Sequence, residues 1–119
     1  MPLRTITIEG RAFRWIADWI DIEGRRTIRL RVWGGTKTSQ ALQAHLVATF
    51  REFRAAVERG EILRRTAVVD DTYIRPRDVR AAIEYALAHG WDPRASGQPF
   101  RLTAADASPS DDLAFVDIQ

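Results

Sequence analysis

The chain contains no cysteine. That excludes a disulfide framework, a thiolate nucleophile and cysteine-ligated zinc, and it fits a reducing compartment. Lysine is nearly as scarce, Lys37 being the only one among 18 basic residues. The pI near 9.7 is therefore set by arginine, whose guanidinium does not titrate below about pH 12. The formal net charge is only +2, and arginine in place of lysine is also a compositional habit of GC-rich genomes. No stretch approaches the roughly 20 apolar residues that a membrane-spanning helix needs. The opening "MPLRTITIEG" lacks the apolar run of a signal peptide, so a cytoplasmic location without a membrane partner is expected. There are two histidines, His45 and His89. Neither stands at metal-ligand spacing from a carboxylate, so no metal and no cofactor are expected.

What the chain does have is a clear order of patterns. Its 119 residues suit a single domain over 1–119 that buries a modest core unaided. Charge is unevenly spread: residues 1–65 carry 13 basic and 7 acidic groups, and residues 66–119 carry 5 and 9. An anionic partner is expected to meet the N-terminal half. That half reads as strands. "LRTITIEG" alternates, and "RTIRLRVW" sets Ile28, Leu30 and Val32 against Arg29, Arg31 and Trp33, the period-2 signature of half-buried antiparallel strands. Glu9-Gly10, Glu23-Gly24 and Gly34-Gly35 punctuate a meander, each offering a glycine that takes positive φ cheaply. Between the first two turns, residues 12–20 hold large apolar groups on both faces. A β-bulge or a twist partway, or else a second layer or a dimer partner over the outer face, is expected there.

"RPRDVRAAIEYALAHGWDP" predicts one helix over 77–89. Pro76 falls in the first turn, where its missing N–H is no loss. Asp78 lies at the positive end of the helix dipole. Val79, Ala82, Ile83, Ala86 and Leu87 make one narrow apolar stripe, and Arg80 with Glu84 form an i,i+4 pair on the other side. Gly90 and Pro93 stop the helix. Such a stripe packs on a sheet. A DNA-reading helix would present polar side chains and follow a partner helix.

Residues 38–60 are ambiguous. Leu42, Leu46, Phe50, Phe53 and Val57 fit a helical stripe, which periodicity favours, while Leu42, Ala44, Leu46, Ala48 and Phe50 fit a strand face. "GQPFRLT" reads as a short edge strand or packed arm, residues 104–112 as a loop or linker, and 113–119 as a last strand or a frayed end.

At "ITIEGRAFRW", "IRLRVWGGTKTSQALQAHLVA", "PRDVRAAIEYALAHGWDP" and "PFRLT" the chain resembles a group of short uncharacterised bacterial proteins. Its shared features are a strand-rich N-terminal part, a Gly-Gly turn and a Pro-started helix ending Gly-Trp-Asp-Pro. The resemblance brings no activity and no site residue. It implies that residues 39–49 form a fourth strand, with a short helix kept for residues 51–59. The expected fold is α+β, a mainly antiparallel, meander-like sheet of four or more strands with one C-terminal-half helix on a face.

The chemistry-bearing residues are sparse. Asp70-Asp71 and Asp111-Asp112 read as turn formers. "WGGTKTS" lacks the spacing of a phosphate-binding loop. The strongest functional signal is an Arg/Trp sheet face of Arg14, Arg29, Arg31 and Trp33, with Trp15 or Trp19 beside it depending on register. Three readings of it stay open: a solvated face covered by arginine stems, a protein interface, or a nucleic-acid surface. The expectation is a small non-enzymatic protein-interaction module, with self-association as a homodimer one form of it. The alternative is a nucleic-acid-binding module using that face. A small hydrolase-like enzyme comes third, with Asp70, Asp71, His89 and Asp92 as its loosely grouped candidates.

Overall fold

The computed structural model describes residues 3–22, 25–35, 39–48, 74–110 and 113–117. Its elements are β1 (Arg4–Ile8), β2 (Arg11–Ile22), β3 (Arg25–Trp33), β4 (Leu42–Ala48), α1 (Pro76–Ala88), β5 (Phe100–Leu102) and β6 (Leu113–Phe115). Strands β1 to β4 form an antiparallel meander. The outer edge of β4 is then shared: β5 pairs parallel with Leu42 to Ala44, and β6 antiparallel with Leu46 to Ala48. The result is an open six-stranded, mostly antiparallel sheet and, among the described residues, one helix, as the α+β reading expects.

The first hairpin closes at Glu9-Gly10, with φ of 50° and 78°. Positive φ at both residues is the two-residue turn whose twist matches the flanking strands, and a glycine at the second position carries it without strain. Gly34 has a different reason. It does not adopt the positive φ expected of that glycine pair. A Cβ there would run into the Cβ of Pro93 and the ring of Phe13, so close approach of the chain after the helix excludes any side chain. The Glu23-Gly24 turn lies outside the described residues.

The expected bulge in β2 is absent among the described strand pairs. Its pairing runs without interruption from Arg4↔Trp15 to Ile22↔Arg25. The strand therefore supplies two surfaces by alternation alone. Phe13, Trp15, Ala17 and the half-buried Trp19 face the core, joined by Ile28, Leu30 and Val32 of β3 and Leu42, Ala44 and Leu46 of β4. The fourth strand thus takes the place implied by the family resemblance, overriding the helical spacing of its leucines. The helix expected over 51–59 lies outside the described residues.

Helix α1 covers the core face. Val79, Ala82, Ile83 and Ala86 are fully or almost fully buried in the same cluster. Burying Ile83 contributes about 2 kcal/mol. The start is fixed by Arg75, in extended conformation before Pro76, and by Asp78, whose Oδ2 accepts the Arg75 N–H at 2.9 Å. At the other end the Trp91 N–H donates to the Ala86 carbonyl at 2.9 Å, the six-to-one bond of a Schellman stop around Gly90. The Trp91 ring then packs on Phe13, and its Nε1–H donates to the Gln40 carbonyl at 3.0 Å. One side chain so ties the helix end to both the core and the entry of β4.

Candidate functional site

Antiparallel alternation sorts the anticipated face residues without ambiguity. Arg14 lies opposite Trp33, Ile16 opposite Arg31, and Asp18 opposite Arg29, all on the sheet face turned away from α1. Arg14, Arg29, Arg31 and Trp33 therefore share one surface. Trp15 and Trp19 do not: they lie on the core face, Trp15 buried under the guanidinium of Arg4 at 5.7 Å and Trp19 half-buried. The register that would have brought them to the arginines is not the one adopted.

Strands β4 and β5 extend this outer face. Gln43 lies opposite Arg31 and is followed laterally by Arg101, while His45 lies opposite Arg29. The far end is closed, Thr27 and Val47 being buried. The near end is open, with Arg14 and Arg101 exposed and Ile16, Trp33, Gln43 and His45 half-buried.

The centre is an ion-pair triad. Oδ2 of Asp18 accepts from Nη2 of both Arg29 and Arg31 at 3.0 Å. The two arginines keep 35% of their side chains exposed and Asp18 keeps 22%. The Arg29 hydrogen bond, with help from Arg31, holds the Asp18 carboxyl below its usual range against the opposing effect of desolvation. The Nε atoms of both arginines are buried with no hydrogen-bond partner among the described residues. The Arg31 guanidinium also lies 5.8 Å from the Trp33 ring centroid, within cation–π range. Burial first, then the positive charges of Arg29 and Arg101, push the His45 imidazole down, favouring its neutral form. The face thus carries four guanidiniums against one carboxylate, with a neutral imidazole among them.

Asp18, Gln43 and Arg101 did not stand out in the sequence, and His45 stood out only as one of two histidines without metal-ligand spacing. Asp18 was findable: once the second hairpin closes between Ile22 and Arg25, counting back sets Asp18 against Arg29. Arg101 was not, because its place depends on a parallel strand arriving from beyond the helix.

The residues of the enzyme reading have local roles. His89 is exposed, stacks on Tyr85 at 3.9 Å, and its Nδ1–H donates to the Tyr85 carbonyl at 2.7 Å. Asp92 accepts the Arg94 N–H at 3.0 Å. Asp70 and Asp71 lie outside the described residues. Nearby, the Tyr85 hydroxyl donates to Oδ1 of Asp106 at 3.0 Å, while Oδ2 accepts the Thr103 N–H at 2.6 Å. The bond to Asp106 raises the Tyr85 hydroxyl above its ordinary pKa. This cluster fastens the turn after β5 to the helix. Among the described residues no three potential ligands gather for a metal ion, and no helix is long and apolar enough to cross a membrane.

No family model matches the chain, and no curated protein or solved structure matches it significantly.

Proposed function

We propose that the chain is a small non-enzymatic protein-interaction module that docks partners on the outer sheet face. The observation that carries this reading is the make-up of the open end. A half-buried tryptophan and an isoleucine lie among arginines whose guanidiniums are already oriented by Asp18. Tryptophan and arginine dominate the energetics of protein interfaces, and pre-oriented side chains lose less entropy on docking. The module acts in the cytoplasm, without a membrane partner and without a cofactor. The apolar edge of the same face, Ile20 and Ile22 at the end of the second hairpin, is half-buried and supplies a homodimer contact.

The nucleic-acid alternative uses the same arginines, but Asp18 weakens it. An ionised carboxylate at the centre of the face repels phosphates and neutralises part of the local charge. The deciding experiment is an oligonucleotide titration at rising salt. An interaction module shows only weak background binding. A nucleic-acid binder shows a log K against log salt slope of about −0.7 to −0.9 per phosphate contact. Steep, tight binding that disappears in the Arg14→Glu/Arg101→Glu variant overturns the proposal. These two positions serve better than Arg29 and Arg31, because reversing the charges that hold Asp18 would crowd three carboxylates together and disturb the sheet.

A further inference from the structure

The distribution of charge over the open end narrows the partner, given the protein-interaction reading on which this step rests. The exposed arginines stand at the two sides of the face: Arg14 on β2, and Arg101 on β5, three strands away. Arg101 shares a row with Gln43, Arg31 and Ile16, and Arg14 lies two residues further along β2. At the usual strand spacing the two positions stand about 16 Å apart on the diagonal, a span that the long arginine side chains shorten by about 2 to 3 Å when they lean inward. Between them the surface is less charged. Trp33 lies next to Arg14, Gln43 lies next to Arg101, and Arg31 shares Asp18 with Arg29. In an extended peptide, side chains on one face repeat about every 6.7 Å, so residues i and i+4 stand about 13 to 14 Å apart. We infer that the outer face binds an extended acidic segment of another protein. Two carboxylates four residues apart meet Arg14 and Arg101, and the residue midway, apolar or aromatic, lies against Trp33.

The spacing argues against two other occupants. A nucleic-acid strand brings a phosphate at every nucleotide, but between the two exposed arginines the face offers only Trp33, Gln43 and Arg31, whose charge Asp18 already neutralises in part. A second copy of this chain laid face to face would set four arginines and one aspartate against the same set, and like charges across an interface disfavour the pairing.

The test is fluorescence anisotropy of three labelled probes with the full chain at low salt. The first is a blocked peptide, Glu-Ser-Leu-Ser-Glu flanked by serines. The second is the same peptide with glutamine for both glutamates, and the third is a twelve-residue oligothymidylate. The acidic peptide is expected to bind best. Arg14→Glu and Arg101→Glu, both on exposed side chains that the fold does not need, should each weaken it at least about fivefold. Trp33→Ala should weaken the acidic and neutral peptides alike. Equal binding of the two peptides, or acidic-peptide binding unmoved by either charge reversal, overturns the acidic-segment inference and leaves the docking face in place. Absence of binding by both peptides also overturns it. Oligothymidylate binding tighter than the acidic peptide overturns both the inference and the interaction reading.

Discussion

Asp18 and His45 show how single ionisable groups become pH-dependent once a sheet sets their neighbours. The Asp18 carboxyl is lowered from 3.8 by Arg29 and Arg31. A depressed carboxyl stabilises the fold above its unfolded value, and that contribution is lost as pH falls through the folded one. His45 is lowered from 6.5 by burial and two arginines. The unfolded chain then binds the proton more readily, so stability falls as pH drops below about 6.5, down to the lowered folded value. Denaturation curves across pH 3 to 7 should show both windows, His45→Gln removing the upper and Asp18→Asn the lower. If His45→Gln leaves the slope below pH 6.5 unchanged, the histidine does not govern it. At neutral pH, Asp18→Asn should cost about 1 kcal/mol or less, because the triad is partly exposed and screened.

At the scale of elements, α1 and the Gly34 crossing hold the core together. Ile83 is completely buried against the sheet. Ile83→Asp would put an unpaired carboxylate there and should abolish cooperative melting. Arg80→Ala breaks only the exposed 2.7 Å pair with Glu84 and should cost less than about 0.5 kcal/mol. Equal thermal stability of the two variants would contradict the packing of this helix. Gly34→Ala forces a Cβ onto Pro93 and Phe13, so it should cost about 1 to 3 kcal/mol as overpacking does. Replacing Pro93 by glycine as well should recover part of that loss. A simple sum of the two single effects would mean that the contact is not the cause.

For the whole molecule, the two sheet faces have different tasks. One is sealed by α1 and Trp91; the other is closed at the Thr27–Val47 end and open at the arginine end. At the closed end Ile20, opposite the buried Thr27, and Ile22 beyond it stay half-exposed on β2, and neighbouring apolar groups left partly exposed mark a contact region. Light scattering at micromolar concentration should therefore report a dimer, and Ile20→Glu should return it to a monomer without lowering the melting temperature much. A wild-type chain that stays monomeric over that range would remove Ile20 and Ile22 from the docking surface.

Local alternation, turn chemistry and capping signals are properties of adjacent residues, so they are legible in the chain itself. The Glu9-Gly10 turn, the β3 pattern, the Pro76 start and the Gly90 stop of α1 all follow from them. Residues 42–48 are less legible, because leucines four apart satisfy both periods; strand pairing with β3 decides the matter. The site is legible only in half. Alternation alone places Arg29, Arg31 and Trp33 on one face, whereas the side to which Trp15 and Trp19 belong depends on which face α1 covers. Asp18 meets two arginines, and Arg101 reaches Gln43, only through pairings 11 to 58 residues distant in sequence. The sequence by itself determined the segments and their apolar faces, since these depend on neighbours along the chain. The tertiary structure decided which charges meet, since that depends on register and on strands arriving from elsewhere.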